Sequence, residues 1–329
     1  MVSQEFIIQR KLEAIDRALA HLSPSESNCI LCPRNCRVDR TNGQTGVCQT
    51  ASQARVSTAL LHFGEEPVLS GRGGFGKARG SGTIFFAGCN LKCLFCQNYQ
   101  LSWLNEGKLI TDEELTQMML ELQEQGALNI NFVSPTHVIL PILRALKIAY
   151  GKGLHIPLVY NSNGYDSLEV IEQLRGIIDI YLPDLKYVSS ELSKKYSAAP
   201  DYFEQARLAI QEIYCQQPDL ILDENEVARQ GLIIRHLVLP GSVDDSIEVL
   251  EWIARNLSTS VGLSLMSQYH PCFKAPPELQ RELMGEEYRK VMNRAQELGF
   301  ENLFLQPEPF LTEEHLVPDF RRKNPFHWK

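Results

Sequence analysis

"TIFFAGCNLKCLFCQN", residues 83 to 98, runs an apolar, β-rich stretch straight into a loop that carries Cys89, Cys93 and Cys96. Residues 83–88 read as a strand. The loop crowds three thiols together and offers no adjacent fourth. Three thiolates hold three irons of a four-iron cube and leave the last iron open. An open coordination position is what separates a catalytic metal site from a closed structural one. A closed site would need Cys272 or a histidine brought in from a distance.

The pattern around this stretch repeats. Further candidate strands are "LNINFV" (128–133), "IPLVYN" (156–161), "IDIYLPDL" (178–185), "LIIRHLVL" (232–239) and "GLSLMSQY" (262–269). Helical patterns lie between and after them, at 111–126, 137–150, 167–175, 200–215, 244–256 and 278–298. Thr111 with Glu114 forms a capping box that opens the first helix. Alternating units of this kind make an α/β protein with a parallel sheet. Six units in one continuous repeat predict a partial (β/α)6 TIM-like barrel rather than a doubly wound sheet. The expected division is 1–82 as an N-terminal helix and cysteine-rich metal-binding module, 83–302 as the core, and 303–329 as a tail returning across it. Phe6, Ile7, Leu12, Ile15, Ala18 and Leu19 give the first helix an apolar face for docking. "GRGGFGKA" (71–78) fits G-x-x-x-x-G-K, but Ala78 replaces the magnesium-binding hydroxyl and no helix can follow in "ARGSG". It reads as a loop whose glycines suit a lid or a close approach to substrate.

The 329 residues are 44% hydrophobic, and 40 acidic against 32 basic residues leave a net charge of −8. That balance argues against a nucleic-acid surface. No apolar run reaches the roughly 20 residues a membrane span needs, and the amphipathic N-terminus does not read as a signal peptide. A cytoplasmic protein without membrane or nucleic-acid partners is expected. An odd count of nine cysteines in short-spaced clusters points to metal rather than disulfides. Cys29, Cys32, Cys36 and Cys48 follow C-x2-C-x3-C-x11-C, with Asn42-Gly43 turning the chain before the last. Four thiolates so spaced suit a closed zinc site or an auxiliary iron–sulfur cluster, with Arg34, Arg37 and Arg40 offsetting their charge. Cys215 and Cys272 stand apart, and a buried thiol needs no role.

The C-x3-C-x2-C loop after a barrel strand resembles the radical S-adenosylmethionine (SAM) superfamily. "GCNLKCLFCQN", "NSNGY" (161–165), "PDLKY" (183–187), "RHLVLPG" (235–241) and "SQYHP" (267–271) resemble landmarks of pyruvate formate-lyase activating enzyme and its relatives. The resemblance implies a [4Fe-4S] cluster on Cys89, Cys93 and Cys96 whose open iron binds SAM. Reductive cleavage then yields a 5′-deoxyadenosyl radical that abstracts hydrogen, from a glycine of a glycyl-radical-type partner protein or from a small-molecule substrate. The electron comes from a reductant such as flavodoxin or ferredoxin. Phe95, near the adenine, and Gln97 are implied cofactor contacts. Asn161, Ser162, Asp184 and Lys186 are implied at the SAM carboxylate, and His270 at the ribose. Arg235, within its strand, needs a partner that the SAM carboxylate would supply. Where the superfamily places Gly-Gly-Glu for the SAM amino group, this chain has "VSPTH" (133–137), so Ser134 and Thr136 are expected to supply the acceptors. His137 is expected at a helix start facing solvent. The competing reading is a non-catalytic iron–sulfur or zinc-binding scaffold.

Overall fold

A computed structural model describes residues 3–71, 79–306 and 316–326, so "GRGGFGKA" lies outside the described residues from position 72 onward. Among the described residues, ten strands form one sheet. They are β1 (Arg55–His62), β2 (Ser81–Phe86), β3 (Lys108–Leu109), β4 (Ile130–Val133), β5 (Leu158–Asn161), β6 (Ile180–Tyr181), β7 (Ile221–Leu222), β8 (Ala228–Leu237), β9 (Gly262–Met266) and β10 (Asn302–Leu305). The order is β10-β9-β8-β6-β5-β4-β2-β1-β3, with β7 paired to β8. Neighbours from β10 to β2 are parallel, while β1 runs antiparallel to both β2 and β3. The six expected strands are present in the expected order, and the sheet is an open, partial TIM-like barrel. β10, at the expected start of the tail, adds a seventh parallel strand.

β6 is shorter than the run 178–185 because Pro183 has no N–H to give the ladder. Pairing resumes beyond it as a single bridge between Asp184 and Arg235. The helices are α1 (Gln4–Leu22), α2 (Pro67–Ser70), α3 (Tyr99–Ser102), α4 (Asp112–Glu124), α5 (Ile139–Gly151), α6 (Leu168–Gln173), α7 (Ser190–Ser197), α8 (Tyr202–Gln216), α9 (Val243–Asn256) and α10 (Gly285–Glu297). The capping box is formed at α4: the Thr111 side chain accepts from the Glu114 N–H, and Glu114 accepts from the Thr111 N–H. α1 docks through Ile15 and Ala18 and not through Phe6 and Ile7, which stay exposed. Its buried Lys11 reaches Asp179 at 2.6 Å and the Ile177 carbonyl at 2.8 Å. No described helix is long and apolar enough to cross a membrane.

Period-two alternation sorts the strands into two faces. Ile84, Phe132, Tyr160, Tyr181, Leu232 and Ile234 pack outward in the main core beneath the helices. Val159, Ile180, Leu182 and Ile233 point to the concave side, where Val68 and Leu69 of α2 fill the space between them. Phe85 and Val133, on that same concave side, pack with Phe320 and Phe326 from the C-terminal segment. The N-terminal segment that carries β1 and α2 thus plugs the barrel interior from within.

Candidate active site at the strand ends

The cysteine loop follows β2 through Gly88, at φ 87. A Cβ there would lie 2.5 Å from the Cys48 carbonyl, so only glycine fits against the N-terminal cysteines. Beyond it, hydrogen-bond donors are aimed at the sulfurs. Cys89 Sγ receives the Asn163 amide at 3.3 Å and the Leu91 N–H at 3.4 Å. Ser102 donates to Cys96 at 3.1 Å, and the Ser197 hydroxyl lies 3.0 Å from Cys93. Donors so placed suit thiolate ligands. Without a cation, burial pushes the Cys96 thiol up to about 12, and the neighbouring Cys93 adds to the rise. Cys89 and Cys93 are raised in the same direction, chiefly by burial. These thiols therefore need positive charge beside them to ionise, which iron supplies. Among the described residues no three His, Cys, Asp or Glu side chains are arranged around a single ion. A cube takes each thiolate on a different iron, so its ligands stand further apart than those of one ion.

The β5 loop "NSNGYD" locks onto this loop. Asn163 also donates to Asn90 Oδ1 at 2.8 Å, and Asn90 donates to the Tyr165 carbonyl at 2.6 Å. Gly164, at φ 79, leaves room for the Asp184 carbonyl, which would lie 2.0 Å from any Cβ. Asn161 passes its carbonyl to the Ser134 N–H at 2.9 Å. Ser134 itself sits at φ 58, a left-handed conformation that glycine favours, so the turn after β4 keeps a glycine-like backbone with a serine in place. Thr136 and Ser162 both donate to buried Asp166, at 2.6 and 2.5 Å, with the Tyr160 hydroxyl at 3.0 Å. Burial raises the Asp166 carboxyl, and these hydroxyls work against that rise. Asp166 thereby ties the β4 and β5 turns together.

Lys186 pairs with Asp184 at 2.5 Å. Burial alone would lower its pKa, but Asp184, with Cys93 and Cys96 also in electrostatic reach, raises it. Lys186 is thus a half-buried cation in electrostatic reach of Cys93 and Cys96. Gln97 donates to the Gln268 carbonyl beyond β9 at 2.9 Å. Phe95 is buried between the rings of Tyr196 and Tyr269. His270 lies four residues past the end of β9, with Nδ1 3.5 Å from Glu282. Cys272 stands apart from the three, its thiol donating to the Phe95 carbonyl at 3.4 Å.

Two expectations are corrected. Arg235 has its anionic partners within the chain: Glu66 holds it through two bonds, at 2.8 and 2.5 Å, and Glu65 through a third. A mostly enclosed guanidinium is neutralised by two buried glutamates of the segment that plugs the barrel, with no cofactor carboxylate required. His137 does not face solvent. It is 2% exposed, and its Nε2 meets the Ala87 carbonyl at 2.8 Å. Burial, with Arg40 and Lys92 nearby, lowers it to about 4, so it is neutral at pH 7.

The N-terminal cysteines also converge. Cys29, Cys32, Cys36 and Cys48 line one small cavity, with Arg34, Arg40 and His137 in its wall. Gly46 permits the closure, since a Cβ there would sit 2.5 Å from Cys36 Sγ. Burial pushes Cys32 up to about 12, and Cys48, Cys29 and Cys36 add to it.

Asn90, Asn163, Asp166, Ser102 and Ser197 escaped the sequence reading. Asn90 and Asn163 lie inside motifs it had singled out and Asp166 directly follows one, and only the hydrogen-bond partners reveal their work. Ser197 had no signal, because α7 is short and polar.

The family model of the Radical SAM superfamily matches residues 83–253. "Uncharacterized protein MJ0674" of Methanocaldococcus jannaschii is 32% identical over 84% of this chain and 77% of its own length. A pyruvate formate-lyase-activating enzyme of Clostridium pasteurianum is 26% identical over 33% of this chain and 47% of its own. The crystal structure of Streptococcus suis SuiB aligns with a TM-score of 0.47 at 16% identity, covering 67% of this chain and 47% of that one. With three cysteines on the loop after β2 and the family match starting at that strand, the chain belongs to the radical SAM superfamily, and membership implies a [4Fe-4S] cluster that cleaves SAM reductively.

Proposed function

We propose that this radical SAM enzyme is of the activating-enzyme kind, taking a hydrogen atom from a glycine of a partner protein. The observation that carries the reading is the convergence of the activating-enzyme motifs at the strand ends around the cysteine loop. "NSNGY" holds Cys89 through Asn163, and "PDLKY" brings Lys186 beside Cys93 and Cys96. The relative from Clostridium pasteurianum supports it over the part of the chain it covers. When bound, the cluster supplies the electron that splits SAM into methionine and a 5′-deoxyadenosyl radical. The chain's own residues bind and orient: Lys186 meets the SAM carboxylate, while Asn161 and the Ser134 turn offer backbone polar groups. Phe95 and Gln97 line the approach, and His270 stands at the far strand end. The electron is delivered by a reductant of the flavodoxin or ferredoxin class. Anaerobic protein with dithionite and SAM is expected to form 5′-deoxyadenosine, and adding the cognate glycyl-radical-type protein should give a glycyl radical signal by paramagnetic resonance. Turnover on small molecules alone, with no protein radical for any candidate partner, would refute the glycine substrate. No 5′-deoxyadenosine from protein with an intact cluster would favour a scaffold.

Lys186→Met is expected to keep the cluster spectrum and weaken SAM binding by roughly 10- to 150-fold, the loss of a charge-assisted contact of about 1.5–3 kcal/mol. Titration followed by the cluster's paramagnetic resonance reads this, and unchanged affinity would place the carboxylate elsewhere. The N-terminal quartet is a metal site in the same reading, and the lack, among the described residues, of any three ligands around a single ion favours a second cluster over zinc there. Metal analysis of anaerobically prepared protein should show zinc, or iron beyond about four per chain. Cys32→Ala should remove that increment.

A further inference from the structure

We propose that the four-thiol site is a clamp on the catalytic cysteine loop, with Arg34 and Arg40 as positioning residues for Cys89. Filling the first site would then set how firmly the second holds its cluster. The proposal rests on the quartet being a metal site.

Three contacts carry it, all made from between or beside the quartet's cysteines: two reach residues that flank Cys89, and the third reaches His137, whose ring holds Ala87. Arg34, two positions after Cys32, donates to the Asn90 carbonyl at 2.7 Å and to the Ala198 carbonyl at 2.6 Å. Its second amino group reaches the Ser197 carbonyl at 3.4 Å, and the Ser197 hydroxyl lies 3.0 Å from Cys93 Sγ. Arg40, 2% exposed, donates to the Thr50 carbonyl at 3.2 Å and to the His137 carbonyl at 2.7 Å. His137 in turn holds the Ala87 carbonyl. The Cys48 carbonyl abuts Gly88 so closely that no side chain fits. Residues 87, 88 and 90 are thus each held from the quartet side, and Cys89 sits among them.

Charge supplies the coupling. The hydrogen bonds described for Arg40 all go to neutral carbonyls, and a buried guanidinium needs an anion. Four thiolates around a doubly charged zinc or cube core leave a net negative charge on the cavity whose wall Arg34 and Arg40 form. The filled site is therefore the counter-ion of both arginines. Emptied, it no longer balances them, and their grip on residues 87–90 loosens.

The test uses full-length wild type, Arg34→Gln, Arg34→Lys and Cys32→Ser, prepared anaerobically. Zinc and iron per chain, resistance of the barrel cluster to a chelator, and its paramagnetic resonance without SAM are measured. Arg34→Gln is expected to keep the quartet's metal, yet to lose barrel iron at roughly 10-fold lower chelator with an altered resonance signal, as when an outer-shell partner of a ligand is removed. Arg34→Lys, which keeps the charge but loses the planar fork that reaches the separate carbonyls, should recover part of the resistance. Cys32→Ser should empty the quartet and weaken the barrel cluster by a similar factor. Wild-type resistance and signal in both Arg34→Gln and Cys32→Ser would overturn the clamp. Wild type without any metal beyond the barrel cluster would instead overturn the metal-site reading and, with it, control by filling.

Discussion

Alanine in place of Cys89, Cys93 or Cys96 will abolish both the barrel cluster's absorbance and all 5′-deoxyadenosine formation. Two thiolates cannot hold a cube whose last iron must stay open for SAM. The surroundings leave no substitute: Asn163, Leu91, Ser102 and Ser197 turn hydrogen-bonding groups toward the sulfurs, and Cys272 is occupied with the Phe95 carbonyl. Folding should survive in each variant, because deleting one sulfur costs far less than a core side chain. Circular dichroism separates loss of cluster from loss of fold. Retained 5′-deoxyadenosine formation in any one of the three variants would sink the assignment.

Arg235→Met should have the largest effect on stability. It leaves Glu65 and Glu66, with side chains 5% and 6% exposed, facing one another inside the barrel without their guanidinium. Removing one partner of a buried ion pair costs about 3–5 kcal/mol. The pH dependence gives the mechanism away. In the wild type, burial alone would raise the Glu65 carboxyl, but Arg235, helped by His62, holds it well below its ordinary 4.5. A depressed folded value means that Glu65 contributes stability fully present above about pH 4.5 and lost as the pH falls below it. Without Arg235, burial dominates and the folded value rises above the unfolded one. The sign then reverses, and the variant's deficit should be greatest at neutral pH and shrink as the pH falls toward about 5. Adding Glu65→Gln and Glu66→Gln should restore much of the loss, since it removes the stranded charges. Urea unfolding at two pH values measures all of this. A deficit under about 1 kcal/mol, or one that does not change with pH, would mean that the carboxylates find other partners.

The three-cysteine loop, the six parallel strands and the capping box at Thr111 were legible in the sequence because each is a local pattern. Spacing places thiols within one loop, alternation marks a strand, and a cap needs only four residues. The quartet's spacing put four thiols in one short segment, and the fold gathers them on one cavity wall. The β1 strand, the α2 plug and the seventh strand were not: α2 and β10 are four residues each, and β1 takes its place from its pairing with β2 and β3. Arg235 shows the limit most clearly. The sequence by itself determined that an arginine inside an apolar strand must meet an anion, since desolvation demands it. Which anion was decided by tertiary structure alone, when the chain 169 residues earlier threads back through the barrel and sets Glu66 against it. His137 followed the same rule: a residue at an apparent helix start was drawn inside because the folded chain brings the Ala87 carbonyl to its ring. Local spacing determines which chemistry a segment can offer, and long-range packing decides which charges face each other, because burial cost is settled only between groups that meet in space.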